Sequence, residues 1–227
     1  MNQTVELTGS RQSGFPSDEL LKKYLEPQPL QSCPEVTVLQ ASRVFDFWEE
    51  WERECGCAKE VPFWAVVWPA AEVLARFVLD NPALVTGRRV LDLGCGSGIP
   101  AVASALAGAS HVQANDIDPL ALELASMNAD LNGVSVEFSC CNLLESSRIP
   151  RADVILVADL FYNRSQSENL FSYLKSARSR GIEVLIADGN RPFAPGKGVE
   201  LLEKLSVKVN RELEGVPDRE VRILRML

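Results

Sequence analysis

Three clusters of residues have the types and spacing to do chemistry. The first is Val90-Leu91-Asp92-Leu93-Gly94-Cys95-Gly96-Ser97-Gly98, an apolar run that passes into alternating glycines and then into a helical pattern. Glycine at such a turn lets the backbone bend sharply and lets a ligand approach where a Cβ would collide. The helix behind it aims free amides at the same place. By itself this says only that a nucleotide-like ligand sits there. Ile99 stands where a dinucleotide fingerprint needs its third glycine, so close packing around a pyrophosphate is not offered. The second cluster is Asn115-Asp116-Ile117-Asp118-Pro119, with Asp116 22 residues after Gly94. A carboxylate at that strand end is placed to accept hydrogen bonds from both ribose hydroxyls of an adenosine. The expected ligand is therefore a nucleoside whose phosphates are absent or are not the anchor. The third cluster is Asp159-Leu160-Phe161-Tyr162, a carboxylate and two aromatics at a strand end. Ligand sites in open α/β sheets lie at such ends.

Elements that position these clusters follow from the hydrophobic pattern. From Val61 onward, apolar runs alternate with amphipathic stretches, the signature of an α/β sheet. Strands are expected at 89–93, 112–115, 135–140, 153–158 and 183–187, with a terminal pair near 207–212 and 220–226. Helices are expected at 69–79, 99–107, 119–132, 168–179 and 198–204. Pro69 and Pro119 suit a first helical turn, and Gly133 suits a left-handed helix end. Continuous apolar runs at 154–158 and 184–187 suit strands covered on both faces. The loop 214–218 is too short for a parallel crossover, so the last two strands are expected to pair antiparallel. The fold class is a doubly wound, mainly parallel, seven-stranded sheet over 61–227. Residues 1–60 form a partly helical N-terminal extension, with helices possible at 18–25 and 42–55. Phe45, Trp48 and Trp51 share one face of the second helix and are expected to dock it on the main domain.

Composition narrows the function classes. With 31 acidic and 23 basic residues among 227, the net charge is −8. That opposes non-specific binding to DNA, RNA or anionic lipid and suits a cationic partner surface. One histidine, His111, removes a multi-histidine zinc site and a serine-histidine nucleophile motif; it begins a strand and reads as structural. The six cysteines follow no disulfide or CxxC spacing, which indicates a reducing compartment. Cys55 and Cys57 lack further ligands at a zinc spacing, so no metal is expected. Neither a signal peptide nor an Arg-rich transit segment is visible at the N-terminus, and no span reaches membrane length. A soluble, cytoplasmic protein is expected, with the mitochondrial matrix as the eukaryotic counterpart.

The run VLDLGCGSG followed by an acidic second-strand end resembles a class I S-adenosylmethionine-dependent methyltransferase of Rossmann-like fold. With PFWAVVWPAAEVLARFVLDNP (62–82), GAS (108–110), ANDIDP (114–119), DLFYN (159–163) and ADGNRP (187–192), the chain resembles the electron-transfer flavoprotein β-subunit lysine methyltransferases over about residues 61–195. The resemblance implies S-adenosylmethionine as cofactor, with Trp68 beside it and Gly94, Gly96 and Gly98 around its methionine part. Asp116 would take the ribose and Asn142 would lie near the adenine, while Asp92 orders the glycine loop and Ala158 closes the fourth strand beside the cofactor. Asp159, Phe161 and Tyr162 would be the activity motif: Asp159 orients the incoming ammonium and the two aromatics wall the lysine channel, since aromatic faces attract cations. Trp64 is a weaker candidate for a cofactor wall than Trp68. Asp118 reads as a helix N-cap, and Arg191 as able to reach an acidic group on cofactor or partner. The implied activity is methylation of lysines in the electron-transfer flavoprotein β subunit. Ribosomal protein lysines, a small-molecule acceptor and a NAD-binding oxidoreductase are the alternatives.

Overall fold

The computed structural model describes residues 14–146 and 149–227; the first ten residues, where a leader was sought, lie outside them. Helix α1 (Asp18–Tyr24) runs into a hairpin of β1 (Leu25–Pro29) and β2 (Thr37–Ala41), and α2 (Val44–Cys55) follows. Next come α3 (Pro69–Asp80), β3 (Arg89–Leu93), α4 (Ile99–Leu106), β4 (His111–Asp116), α5 (Pro119–Leu131) and β5 (Glu137–Cys140). The chain continues through α6 (Leu143–Ser146), β6 (Val154–Ala158), α7 (Arg164–Ser179) and β7 (Glu183–Asp188). It ends with β8 (Val199–Lys208), the turn α8 (Arg211–Glu214) and β9 (Asp218–Met226).

Strands β3 to β9 form one seven-stranded sheet in the order β5-β4-β3-β6-β7-β9-β8. The first five in that order are parallel, and β9 runs antiparallel to both β7 and β8. From β3 the chain winds outward through β4 to β5, then returns to β6 on the other side of β3. The switch point therefore lies between β3 and β6, where such sheets open a crevice beyond the strand ends. The glycine run leaves β3 there, and Asp159 leaves β6 there.

Alternation explains why the strands read as unbroken apolar runs. Val90, Val154, Leu156, Leu185 and Ala187 pack with α3, α4 and α5. Leu91, Leu93, Ile155, Val157, Val184 and Ile186 pack with α7 on the opposite face. Both faces are buried, so neither alternate set is polar.

The structure departs from the sequence reading in three places. Residues expected as a helix at 198–204 form the first half of β8, whose register shifts between Leu201 and Glu203. Their spacing suits a helix, but pairing with β9 satisfies their backbone, and tertiary context overrides local preference. The N-terminal extension contains the β1–β2 hairpin as well as its two helices. Pro27 and Pro29 argue against a central strand, yet both are tolerated in an edge strand. On α2, Phe45 is exposed, and Val44, Phe47 and Trp51 are the buried face. Trp64 joins them, its ring 6.0 Å from Phe47 and 5.9 Å from Trp51; it is core and not a cofactor wall.

Two asparagines fasten the hairpin to the sheet domain. Asn132 Oδ1 accepts from the Thr37 amide at 2.9 Å, and its Nδ2 donates to the Thr37 carbonyl. Asn128 is fully buried: its Oδ1 accepts from the Leu39 amide at 2.8 Å and its Nδ2 donates to the Ser97 carbonyl at 2.9 Å. It thus ties β2 to the glycine run. No helix among the described residues is long and apolar enough to cross a membrane.

Replacing Asn128 by alanine strands two buried backbone groups, each of which costs roughly 1–3 kcal/mol when unpaired. Urea unfolding of Asn128→Ala is expected to give a stability loss of about 2–4 kcal/mol; a loss below about 0.5 kcal/mol would contradict the pinning role.

Candidate active site

Left-handed backbone carries the chain out of β3. Gly94, Gly96 and Gly98 have φ of 67°, 51° and 76°, a region that costs little only for glycine. The amides of Gly94 and Cys95 both donate to the Asn115 carbonyl, at 2.8 and 3.0 Å, which ties the turn to the end of β4. The three glycines serve different ends. A Cβ on Gly94 would sit 2.5 Å from Leu160 Cδ1, and one on Gly98 would sit 2.9 Å from the Ala125 Cβ. A Cβ on Gly96 would meet nothing within 4 Å. Gly94 and Gly98 are therefore packing glycines, and Gly96 borders open space.

Two carboxylates hold this turn. Gly98 caps α4 without a side chain, so Asp92 reaches across and accepts from the Ala101 amide at 3.1 Å. Asp92 is 1% exposed, and its Oδ1 is buried without a hydrogen-bond partner among the described residues. Burial pushes its carboxyl up to about 7, against the Ala101 hydrogen bond, and the nearby Asp116 charge adds to the rise. Asp116 accepts from the Gly96 amide at 2.9 Å through Oδ2 and from the Asp118 amide at 3.0 Å through Oδ1. Burial raises its carboxyl also, opposed by those two amides. Each Asp116 oxygen accepts one of these bonds and keeps capacity for another. Asp118 caps α5 by accepting from the Leu120 amide at 2.9 Å, as its place before Pro119 implies.

Asn142 sits beyond β5, but its carbonyl oxygen accepts from the Leu144 and Glu145 amides at 3.1 and 3.4 Å. The atom offered for the adenine is thus engaged as the cap of α6. Ala158 is half-buried at the end of β6. His111 lies at the opposite strand end, 3.1 Å from Glu137.

The Asp159 corner is more heavily built than its sequence indicates. Asp159 and Asn190 are the two non-glycine residues with positive φ, 58° and 59°, among the described residues. Strain of that kind, on the order of 1–3 kcal/mol per residue, persists where surroundings over-determine it. Here Asp159 Oδ1 accepts from Arg191 Nε at 2.8 Å and from the Gly189 amide at 3.3 Å, while Oδ2 accepts from Arg191 Nη2. Arg191 also donates to both oxygens of Glu214, at 3.1 and 3.2 Å, and Glu214 pairs in turn with Arg219. Beneath them the fully buried Asp188 accepts from Arg222 at 2.6 Å and from the amides of Asn190 and Arg191. Trp68 completes the corner: its ring lies 5.7 Å from the Arg191 guanidinium, and its Nε1 donates to the Phe63 carbonyl at 3.0 Å.

Phe161 is 1% exposed and packs in the core beside α7; it does not wall a channel. Tyr162 is 60% exposed. Partial burial, then the charges of Asp116 and Asp159, hold its hydroxyl above the ordinary range. Sequence reasoning missed Glu214, Arg219 and Arg222. A glutamate in a hairpin turn carries no signal that distinguishes it from a solvated one.

Substituting alanine for two of the glycines separates packing from access. Gly98→Ala adds backbone strain to a collision and is expected to cost about 2–4 kcal/mol by chemical denaturation. Gly96→Ala should cost only about 1–2 kcal/mol and should instead weaken binding in the open space beside it; equal effects on stability would contradict the division. Asp92 makes a pH prediction. Its folded carboxyl, raised to about 7 from 3.8, holds a proton more tightly than the unfolded chain does. That stabilisation is complete below about pH 4 and is lost as pH rises towards 7, at up to about 1.4 kcal/mol per pH unit. Asp92→Asn should flatten stability against pH across that window; parallel curves for variant and wild type would refute the assignment.

Comparison with known proteins places this arrangement. The family model described as ribosomal protein L11 methyltransferase (PrmA) matches residues 74–163. The electron transfer flavoprotein beta subunit lysine methyltransferase of Xenopus laevis is 45% identical over 132 residues, which cover 57% of this chain and 53% of that protein. The protein of the same name from Rattus norvegicus is 32% identical over 206 residues, 88% of this chain and 80% of that one. Among solved structures, a candidate RNA methyltransferase from Pyrococcus horikoshii superposes with a TM-score of 0.54 at 19% identity, covering 74% of this chain and 88% of its own, which shows a shared fold. The rat relative aligns over most of both chains, and on that likeness this chain belongs to the electron transfer flavoprotein beta subunit lysine methyltransferase family.

Proposed function

We propose that this protein transfers methyl groups from S-adenosylmethionine to lysine side chains of the electron transfer flavoprotein beta subunit. The observation that carries the reading is the meeting, at one switch point, of an open glycine turn with a ribose-type carboxylate and a strained, ion-paired carboxylate corner. The residues fit an adenosyl ligand. Gly96 borders space that a side chain would fill, and both Asp116 oxygens keep a free acceptor position towards hydroxyl groups. The absence of a third glycine at Ile99 is of no consequence for a ligand without phosphate. Asp116 and the Gly96 turn would hold its ribose and chain, and Trp68 would border it. When bound, S-adenosylmethionine supplies an electrophilic methyl group on a sulfonium.

The protein's own work is to bring a lysine nitrogen to that place and keep water out. A free lysine near pKa 10.4 is almost wholly protonated at neutral pH, and the nucleophile is its neutral form. Among the described residues Asp159 Oδ2 accepts from Arg191 alone, so one acceptor position remains to orient the amine. Tyr162, exposed and three residues after Asp159, borders the approach. The net charge of −8 suits a lysine-bearing surface.

Ribosomal protein lysines are the second reading, favoured by the L11 methyltransferase model. That match ends at residue 163. It spans the cofactor crevice and stops before Arg191 and Glu214, so it bears on the donor more than on the acceptor.

Incubating the protein with methyl-labelled S-adenosylmethionine and purified flavoprotein, followed by peptide mass mapping, tests the assignment. Label is expected on lysines of the β subunit. Label on ribosomal proteins, or only on small molecules, with the β subunit unmodified, would overturn the substrate.

A further inference from the structure

We infer that Arg191 is a positioning residue that neutralises Asp159 in advance, so that the acceptor lysine is oriented at this corner without being held there as an ammonium. The inference rests on the proposed lysine-methylating activity and adds a cause for the ion-pair chain beside it. An unpaired buried carboxylate would attract the acceptor in its charged form, and the charged form has no lone pair to give. A carboxylate already paired to a guanidinium still accepts a hydrogen bond but offers little net charge to hold a proton.

The geometry serves that end. Arg191 meets Asp159 through Nε and Nη2, the two-point contact that guanidinium makes with carboxylate and lysine's ammonium does not. Asp159 beside it holds Arg191 well above its ordinary value, so the cation persists at every working pH. The charges facing the pair are balanced. Glu214, from the β8–β9 connection, meets Arg191 and Arg219, and Asp188, at the end of β7, meets Arg222. Trp68 lies against the guanidinium, and the charges of both Asp116 and Asp159 are felt at the Tyr162 hydroxyl. Arg191 also joins two segments distant in sequence, the corner at 158–162 and the turn carrying Glu214, so its loss should loosen both.

Three variants test this. Arg191→Gln keeps some hydrogen bonding and removes the charge, Arg191→Lys keeps the charge and loses the fork, and Glu214→Gln breaks the outer arm alone. With the β subunit as acceptor, Arg191→Gln is expected to lower kcat about tenfold at pH 7, with the deficit closing towards pH 9 as the rate profile moves up by about one pH unit. Arg191→Lys should restore most of the rate at pH 7, and affinity for S-adenosylhomocysteine should change less than about threefold in all three. A deficit that stays constant with pH, or a lysine variant as poor as the glutamine one, would overturn the charge role. Hydrogen exchange of the proteins without acceptor should show faster exchange in both 158–162 and 209–217 for Arg191→Gln, and in 209–217 alone for Glu214→Gln. Unchanged exchange in both segments would overturn the coupling. A wild-type protein that fails to label the β subunit would overturn the substrate, while the exchange result still decides whether Arg191 joins the segments.

Discussion

The backbone leaving β3 must turn through a left-handed path and at once start a helix, and two nearly buried carboxylates make that possible. Asp92 supplies the cap that Gly98 cannot, and Asp116 ties the Gly96 amide to the end of β4. If these contacts failed, the Gly96 and Ala101 amides would lose their fixed direction, and the open space beside Gly96 would close or drift. Both carboxylates lie raised by burial, so the turn is held at an electrostatic cost. Carboxylates perturbed in this way cluster at functional sites. The hairpin of the N-terminal extension contributes to the same end, because Asn128 bonds it to the Ser97 carbonyl inside the glycine run.

The ends of β6 and β7 answer the same need with a different device. Asp159, Asp188 and Glu214 face Arg191, Arg219 and Arg222, three charges of each sign in a half-buried patch. Isolated buried ion pairs gain little over apolar packing, because desolvation offsets the attraction. A shared network with forked guanidinium contacts holds direction instead, and direction is what two residues in left-handed backbone require. The strain at Asp159 and Asn190 and the ion pairs are thus one structure, in which the second keeps the first in place.

Much of this was legible before any coordinates. The central strands β6 and β7, with most of β3, announce themselves because both faces are buried, so alternation disappears and the apolar runs are nearly continuous. The glycine turn is legible because no other residue tolerates those angles as readily. Asp116 and Asp159 are legible because each directly ends a strand. Other parts were hidden for equally physical reasons. The spacing of 198–204 favours a helix, and only pairing with β9 makes a strand of it from Val199 onward. Phe161 follows a carboxylate at a strand end like a site residue, yet the reversal at Asp159 turns it into the core beside α7. Asn142 carries the right group at the right strand end, but the short helix behind it uses that group as a cap. Arg191 meets Glu214 across 23 residues and Arg222 meets Asp188 across 34, and no local pattern encodes such tertiary contacts.

Calorimetric titration of S-adenosylhomocysteine into wild-type protein and into Asp116→Ala measures whether the crevice beyond the ends of β3 and β4 holds an adenosyl ligand through that carboxylate. Single-site binding to the wild type, weakened at least about tenfold in the variant, is the predicted result. Absence of binding to the wild type, or equal affinity for both proteins, would contradict it.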